Sequence, residues 1–341
     1  MVLSGLPAPA TFRNLIRTMT PASSPPSATL VLADIGGTNT RVALAHDGRV
    51  ARDTIRRYAN ASSAGLPAIL TEYLNALGSP SCSGACIAVA GPVQDGVAEM
   101  TNLSWRITSA DVADATGARI VAILNDLQAQ GHALDRLAGD SLRTVIPPPP
   151  APRSGARLVI GVGTGFNAAP VHRIEGGLFV AAAESGHATL PLRTEEDLRL
   201  AGHVEKAHGF AGVEDVLSGR GLERLYSFHA AGKEISAAEI MKRIGQRSDA
   251  AADATCRHFV TLLGRVASDL ALDHLPFGGI YLVGGVARAF APYLADHGFT
   301  DTFRDKGRFS DFMGEFAVHV VEDDYAALEG CADHIGRRIA D

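Results

Sequence analysis

Two glycine-rich segments of the sequence have the residue types that bind phosphate groups. DIGGTN at 34–39 and GVGTG at 161–165 each follow a hydrophobic run. Glycine has no Cβ, so backbone N–H groups can approach phosphate oxygens, and the threonine hydroxyl is a further donor. Taken alone, each segment is better explained as a tight hairpin turn, because neither matches a P-loop or a dinucleotide-binding fingerprint. Their matched positions in two halves of the chain favour a nucleotide, whose Mg2+ Asp34 could hold through water.

A third glycine segment, LVGGVA at 282–287, has a different pattern. Here a strand ends in a pair of glycines that opens a helix. A surface without Cβ atoms lets a flat aromatic base lie against it, so this turn is a candidate for the base of the same nucleotide.

Polar residues with possible catalytic roles follow other hydrophobic runs. Asn125 and Asp126 end an apolar run and begin a predicted helix, and an aspartate there is favoured as a helix N-cap in any protein. Glu184 and His187 are three residues apart, which is half of a metal-site pattern. The second half is missing, so no metal is predicted there. Glu214 is a further candidate, but it could instead be an acidic residue in the first turn of a helix, where it would interact favourably with the helix dipole.

The hydrophobic pattern of residues 28–136 predicts alternating strands and helices. Three strands with turns at 36–37 and 47–48 predict an antiparallel meander. The elements that follow are a helix at 65–77, a buried strand from 85, a capped helix at 109–116, a strand at 118–124 and a helix at 126–137. The proline run at 147–150 comes where this unit ends.

The order of strand, Gly/Thr turn and strand recurs from residue 156. Beyond it the pattern predicts helices at 195–207, 219–230, 236–244 and 250–272, a strand at 279–283 and a final helix at 324–338. A lone terminal helix must bury its apolar stripe, so the final helix is expected to pack on the first unit. The duplication predicts an α/β fold of two similar domains, each with a mixed sheet flanked by helices, around a central cleft.

The expected division of the chain follows from these patterns. Residues 1–27 are predicted to be a disordered leader, because the Pro/Ser-rich end of this segment cannot bury an apolar face. A small domain is predicted over 28–136 together with 322–341, and a large domain over 137–321.

The composition is that of an ordinary globular protein. The chain has 341 residues, 46% of them hydrophobic, and a net charge of -6, which gives no electrostatic footprint for nucleic acid. No run approaches the roughly 20 apolar residues of a transmembrane helix, so no membrane span is predicted. The four cysteines are sparse and lack zinc-site spacing. A reducing cytoplasm is the expected location.

The motifs also occur together in a known family. The chain resembles the bacterial glucokinases of the non-ROK type, in the actin-like ATPase superfamily with the hexokinases. The matching segments are LADIGGTNTR (32–41), CIAVAGPV (86–93), MTNLSW (100–105), ILNDLQA (123–129), GVGTGFN (161–167), ESGHATLP (184–191), VEDVLSGRGLERLY (213–226), GGIYLVGGVAR (278–288) and DKGRF (305–309). They follow family order over nearly the whole chain. The Cys-rich zinc motif of the ROK kinases has no counterpart in this sequence.

The resemblance implies an actin-like fold, ATP and Mg2+ as cofactors, glucose as substrate and a homodimer. It implies that Asp126 is the general base for the 6-hydroxyl of the sugar and that Asp34 organises the metal through water. The implied sugar ligands are Asn125, Asp126, Glu184, His187 and Glu214, with Asn102 resting on its short MTN motif alone. The implied nucleotide ligands are Asp34, Gly36, Gly37, Thr38, Asn39, Gly163, Thr164, Gly165, Gly284 and Gly285.

Three positions depart from the family pattern. Many relatives have glycine where this chain has Asn167, Ala183 and Ser185. Asn167 could crowd or hydrogen-bond a phosphate, and the other two add small side chains beside the sugar. Glucose is the expected substrate, with mannose, fructose or an amino sugar as alternatives. A non-catalytic sugar sensor on the same scaffold is the alternative from another class of protein.

Overall fold

The computed structural model describes residues 28–100 and 103–340. The predicted leader at 1–27 and the candidate sugar ligand Asn102 lie outside this part of the chain, and both stay predictions. The described residues form two six-stranded mixed sheets with helices packed on them, and a small three-stranded sheet. The predicted α/β class is therefore confirmed. No helix in the described ranges is long and apolar enough to cross a membrane.

The first sheet lies in the N-terminal third of the chain. Its region contains strands β1 (Thr29–Ile35), β2 (Asn39–His46), β3 (Arg49–Val50), β4 (Arg56–Ala59), β5 (Gly84–Val89), β6 (Val93–Gln94), β7 (Val97–Glu99), β8 (Arg106–Thr108) and β9 (Ile120–Asn125), and helices α1 (Leu66–Ala76), α2 (Ser109–Thr116) and α3 (Asp126–Ala133). The order is β3-β2-β1-β5-β9, with β4 also paired to β2. β1 is antiparallel to β2 and parallel to β5, and β5 is parallel to β9. The carboxyl ends of β1, β5 and β9 therefore lie at one edge, where the first glycine segment and Asp126 follow.

The prediction of one continuous third strand was wrong. A 3-10 turn at Arg52–Thr54 separates β3 from β4, although both strands pair with β2. The turn forms because the Thr54 hydroxyl accepts the Leu44 N–H at 3.0 Å, where a continuous strand would offer a carbonyl. The meander is otherwise as expected.

The second sheet is built from the rest of the chain. Its region contains strands β10 (Leu142–Ile146), β11 (Arg157–Val162), β12 (Phe166–Ile174), β13 (Gly177–Val180), β14 (Ile280–Val283) and β15 (Val318–Val321), and helices α4 (Glu195–His208), α5 (Gly219–His229), α6 (Ala237–Gln246), α7 (Ala250–His274), α8 (Gly285–Phe290) and α9 (Phe299–Arg304). The order is β10-β15-β14-β11-β12-β13. β10 and β15 were not predicted, and they pair with each other across 170 residues of chain. The largest core cluster joins this sheet to α4–α9 through buried aromatic side chains such as Tyr226, Phe259 and Phe290.

The last helix, α10 (Ala326–Ala340), packs against the first sheet, as its apolar stripe predicted. Leu328, Cys331 and Ile335 are fully buried in one cluster with side chains of β1, β5 and β9. α10 also crosses α3 closely at Gly330. The two helix backbones are so near each other there that a Cβ at Gly330 would overlap the Ala129 carbonyl oxygen. α3 contacts strands of both large sheets and so lies where the two sheets meet. The predicted domain boundaries themselves stay predictions.

Candidate active site

The first glycine segment is a rigid turn between β1 and β2. Gly36 N–H donates to the Asn39 carbonyl at 3.0 Å. The buried Asn60 holds the turn from behind: its Nδ2 donates to Gly36 O at 2.8 Å, and its backbone N–H donates to Thr38 O at 2.9 Å. Thr38 itself is exposed. The turn therefore presents an open, fixed surface, and Asn60 is a supporting residue that no motif in the sequence marks.

Asp34 lies at the mouth of this turn, at the end of β1. Its Oδ2 accepts a hydrogen bond from Arg41 Nη1 at 3.0 Å, because the two residues are opposite each other in the β1–β2 pair. Burial raises the pKa of the Asp34 carboxyl, and the Arg41 guanidinium opposes this effect. Asp34 is also close enough to Asp126 for their charges to repel, which raises the pKa of Asp126. Carboxylate oxygens are the ligands that Mg2+ prefers, and a cation here would offset that repulsion, so the residues fit the implied metal.

Asn125 and Asp126 have separate tasks in the structure. Asn125, not Asp126, is the N-cap of α3: its Oδ1 accepts the Leu127 N–H at 2.9 Å. Its Nδ2 donates to the Gly91 carbonyl at 3.0 Å, which fixes the amide orientation. The explanation of Asp126 as a helix cap is therefore wrong. Its carboxylate accepts the Leu127 N–H through Oδ1 at 2.8 Å, and no described side chain donates to Oδ2.

The surroundings of Asp126 make its carboxyl easier to protonate. Burial raises the pKa of Asp126 to about 6, and the charges of Asp34 and Glu184 add to this effect. Asp34 lies on the side of the first glycine turn, and Glu184 lies on the side of the acidic candidates. The pKa of Asp126 is therefore affected by one residue from each of the two groups that the sequence predicted for nucleotide and sugar.

The second glycine segment connects β11 to β12 beside α3. Gly161 leaves space for Leu127 of α3, because a Cβ there would lie 2.8 Å from Leu127 Cδ2. Gly163 faces open space and Thr164 is exposed, which suits a ligand. Gly165 has another reason to be glycine: a Cβ would lie 2.5 Å from Oε2 of Glu214. That carboxylate oxygen accepts the Phe166 N–H at 2.8 Å.

The third glycine segment lies against the second. Gly284 adopts φ = +104°, and a Cβ at this residue would lie 2.5 Å from the Val162 carbonyl oxygen. Only glycine fits this close approach. Gly285 begins α8 and faces open space. The structure thus brings Gly163, Gly284 and Gly285 together as positions without a Cβ, with the exposed Thr164 beside them, as a nucleotide site requires.

The acidic candidates surround a short 3-10 turn at Ser185–His187. Glu184 begins this turn and is exposed, and His187 is exposed at its end. Glu214 joins them because its N–H donates to the Gly186 carbonyl at 2.8 Å. The structure therefore places the backbones of Glu184, His187 and Glu214 around this one turn.

The Asn167 side chain contacts the segment that carries Glu184, and no contact of it with the second glycine segment supports a role in phosphate binding. Its Nδ2 donates to the Ala183 carbonyl, and its Oδ1 accepts the Ser185 N–H at 2.9 Å. Nδ2 also lies 3.5 Å from Oε2 of Glu184. The expectation that Asn167 contacts a phosphate is not supported by these bonds. Instead, its side chain bridges the backbone carbonyl of Ala183 and the backbone N–H of Ser185, the two other positions that depart from glycine.

Comparison with known proteins assigns the chain to a family. A family model described as Glucokinase matches residues 31–337. The chain belongs to the glucokinase family. It is 34% identical to the glucokinase of Caulobacter vibrioides (strain NA1000 / CB15N), over 89% of this chain and 93% of that protein. It is also 34% identical to the glucokinase of Chelativorans sp. (strain BNC1), over 89% of this chain and 90% of that protein.

Solved structures support the same family assignment. The crystal structure of a glucokinase from an Antarctic psychrotroph superposes with a TM-score of 0.78 at 29% identity. The match covers 90% of this chain and 98% of that one. All site residues discussed above lie within the part of the chain that the glucokinase family model matches.

Proposed function

We propose that this chain transfers the γ-phosphoryl group of ATP to the 6-hydroxyl of glucose, giving glucose 6-phosphate and ADP. Membership of the glucokinase family supports the reaction class. One observation of this chain carries the assignment of roles: Asn125 is the N-cap of α3, and the buried Asp126 carboxyl is close enough to both Asp34 and Glu184 for their charges to raise its pKa.

In the proposed reaction Asp126 accepts the proton of the 6-hydroxyl as the bond to phosphorus forms. A carboxylate is a weak base toward an alcohol, so positioning and charge neutralisation supply most of the acceleration. Asn125, Glu184, His187 and Glu214 bind the sugar hydroxyls. The glycine turns at 36–39 and 163–165 hold the phosphates, and Gly284 and Gly285 face the adenosine. Mg2+, held by Asp34 through water, would neutralise phosphate charge.

The reaction is tested by measuring ADP release with Mg-ATP over a panel of glucose, mannose, fructose and glucosamine. We expect the largest kcat/KM for glucose. A folded sample that releases no ADP with any hexose would contradict the kinase assignment. Glucose binding without turnover would favour the sugar sensor instead, because a sensor needs the pocket but not the base.

Asn167 is expected to act on glucose binding rather than on ATP binding. Asn167→Gly removes the bonds to Ala183 O and Ser185 N, which hold the segment that carries Glu184. Losing net hydrogen-bond energy of about 1 to 1.5 kcal/mol predicts a KM for glucose about tenfold higher. The KM for ATP should stay within about twofold of its original value, and initial rates over both substrates measure this.

The control for Asn167→Gly is His172→Gly, at an exposed position of the same strand. This variant measures how far a glycine by itself destabilises β12. Its KM for glucose and its KM for ATP should both stay near their original values. A larger effect of Asn167→Gly on the KM for ATP would place Asn167 at the nucleotide instead.

Two further expectations about the protein in the cell are proposals. The four cysteines are all buried free thiols, which supports a reducing cytoplasm. A homodimer is supported by the family resemblance alone.

A further inference from the structure

Three side chains outside the proposed catalytic and binding residues converge where α4, α5 and α7 meet. Glu196 comes from the first turn of α4, His229 from the last turn of α5, and His258 from α7. Their ligand atoms all lie within 4.8 Å of one another. His258 is buried, His229 is half-buried and Glu196 is exposed, so solvent reaches the cluster from one side. The proposed reaction uses none of them.

The two imidazoles face each other through the atoms that bind metals. His229 Nε2 lies 3.2 Å from His258 Nδ1. Zinc bonds to nitrogen of about 2.0–2.1 Å at tetrahedral angles separate two ligand nitrogens by about 3.3 Å. The pair is therefore already spaced as two ligands of one Zn2+ ion. Glu196 is exposed and can rotate its carboxylate to complete the set.

A buried carboxylate fixes the orientation of the central histidine. His258 Nε2 lies 2.9 Å from Oδ1 of Asp197, so this nitrogen is the donor and Nδ1 is the acceptor nitrogen that faces His229 Nε2. Asp197 is held in turn by Arg265, whose Nη1 lies 2.6 Å from Oδ2, and by the backbone N–H groups of Arg193 and Thr194, each at 2.8 Å. Metal-binding histidines usually donate their second N–H to such a carboxylate.

We propose that Glu196, His229 and His258 bind one Zn2+ ion, with Asp197 as the positioning residue behind His258. Two histidines and one carboxylate are a ligand set that zinc uses, and a water molecule would take the fourth position. Without metal, the Nε2–H of His229 donates a hydrogen bond to Nδ1 of His258. When Zn2+ binds, that proton moves to Nδ1 of His229, so the imidazole stays neutral. The ion would join three helices of the second sheet's core.

Zinc binding is tested with the full chain after treatment with EDTA, by titrating Zn2+ against a chromogenic chelator. We expect one high-affinity site per chain and a Tm that rises with zinc concentration, because a ligand that binds only the folded state stabilises it. Co2+ used in place of zinc should give the visible absorption bands of tetrahedral coordination. Absence of a high-affinity site in the titration would overturn the proposal.

Variants distinguish this site from adventitious binding at other histidines. Glu196→Gln and His229→Gln change side chains that are not fully buried, and each should weaken zinc binding at least about tenfold. Their apo forms should melt near the temperature of the unchanged protein. His208→Gln, at the exposed end of the same helix as Glu196, should bind zinc normally. Equal zinc affinity in Glu196→Gln, His229→Gln and His208→Gln would contradict the proposal.

Glucose phosphorylation serves as a separate measurement. Glu196 and His229 have no contact with the proposed catalytic residues, so Glu196→Gln should keep its kcat in zinc-free buffer. The zinc titration therefore tests the zinc site, and the kcat measurement tests the proposed kinase reaction, so either proposal can be contradicted without the other.

Discussion

Asp126→Asn should lower kcat for glucose phosphorylation by about 10²- to 10⁴-fold, the range that a general acid–base residue contributes. The amide keeps an oxygen for the Leu127 N–H and nearly the same shape, so the start of α3 should be preserved. Asn cannot accept the proton of the 6-hydroxyl. Steady-state kinetics give kcat, and calorimetry should show glucose binding within a few-fold of that of the unchanged protein.

The pH dependence of the unchanged protein tests the same residue independently. Because the pKa of Asp126 is raised to about 6, the fraction of ionised base falls below that pH. We expect kcat/KM to decline about tenfold per pH unit well below pH 6 and to level off above it. The pKa of Asp126 in the ligand-free protein is the relevant value, because the pH dependence of kcat/KM reports the ionisation of the free enzyme.

Asp126→Asn should also stabilise the fold at neutral pH. A carboxyl whose folded pKa lies above its ordinary 3.8 binds its proton more tightly in the folded state. Its contribution to stability is therefore present below about pH 4 and is lost as pH rises to about 6. Removing the charge should recover up to about 3 kcal/mol at pH 8, seen as a higher urea midpoint. Unchanged kcat in Asp126→Asn would remove Asp126 from the role of base.

Gly330→Ala should destabilise the protein by about 2 kcal/mol or more. The new methyl group would overlap the Ala129 carbonyl oxygen, which belongs to the backbone of α3 and cannot rotate away. Overpacking of this kind typically costs about 1 to 3 kcal/mol, and here α10 and α3 must move apart. Because α3 begins with Asp126, turnover should fall as well. Urea unfolding followed by circular dichroism measures the first effect.

Gly336→Ala is the matched control in the same helix. The nearest atom to its new methyl group would be the Gly48 Cα at 3.6 Å, an ordinary van der Waals distance. Alanine favours a helix over glycine by about 1 kcal/mol, so this variant should be as stable as the unchanged protein or more so. If Gly330→Ala proved equally stable, the close crossing of α10 and α3 would be refuted.

Local sequence patterns predicted most individual elements of the fold. The helix at Ser109–Thr116 has the predicted ends, because Thr108 caps it and Gly117 follows in the left-handed conformation. The pattern did not reveal β10 and β15, whose pairing depends on segments far apart in sequence. It also missed the break at Arg52–Thr54, because a side chain that replaces a backbone acceptor has no periodic signature.

The site was predictable in its membership more than in its arrangement. Motif positions gave Asp34, Asp126 and the glycine turns as candidates, because glycine is the residue type that such backbone conformations require. They did not show that Asn125 takes the capping role, or that Asn167 bonds to the segment at 183–185. Asn60 carried no signal at all, because its support of the first turn arises from chain folding over 24 residues.

The position of α10 on the first sheet has a consequence for how the protein is made. The ribosome completes α3 about 190 residues before it starts α10. At a synthesis rate of about 5–20 residues per second, roughly 10 to 40 s pass before α10 can pack on β1, β5 and β9. During this time their apolar face, including Leu30 and Leu32, lacks its native partner. The second sheet is also incomplete during this time, because its inner strand β15 is synthesised immediately before α10. This apolar face of the first sheet therefore acquires its native cover only at the end of synthesis.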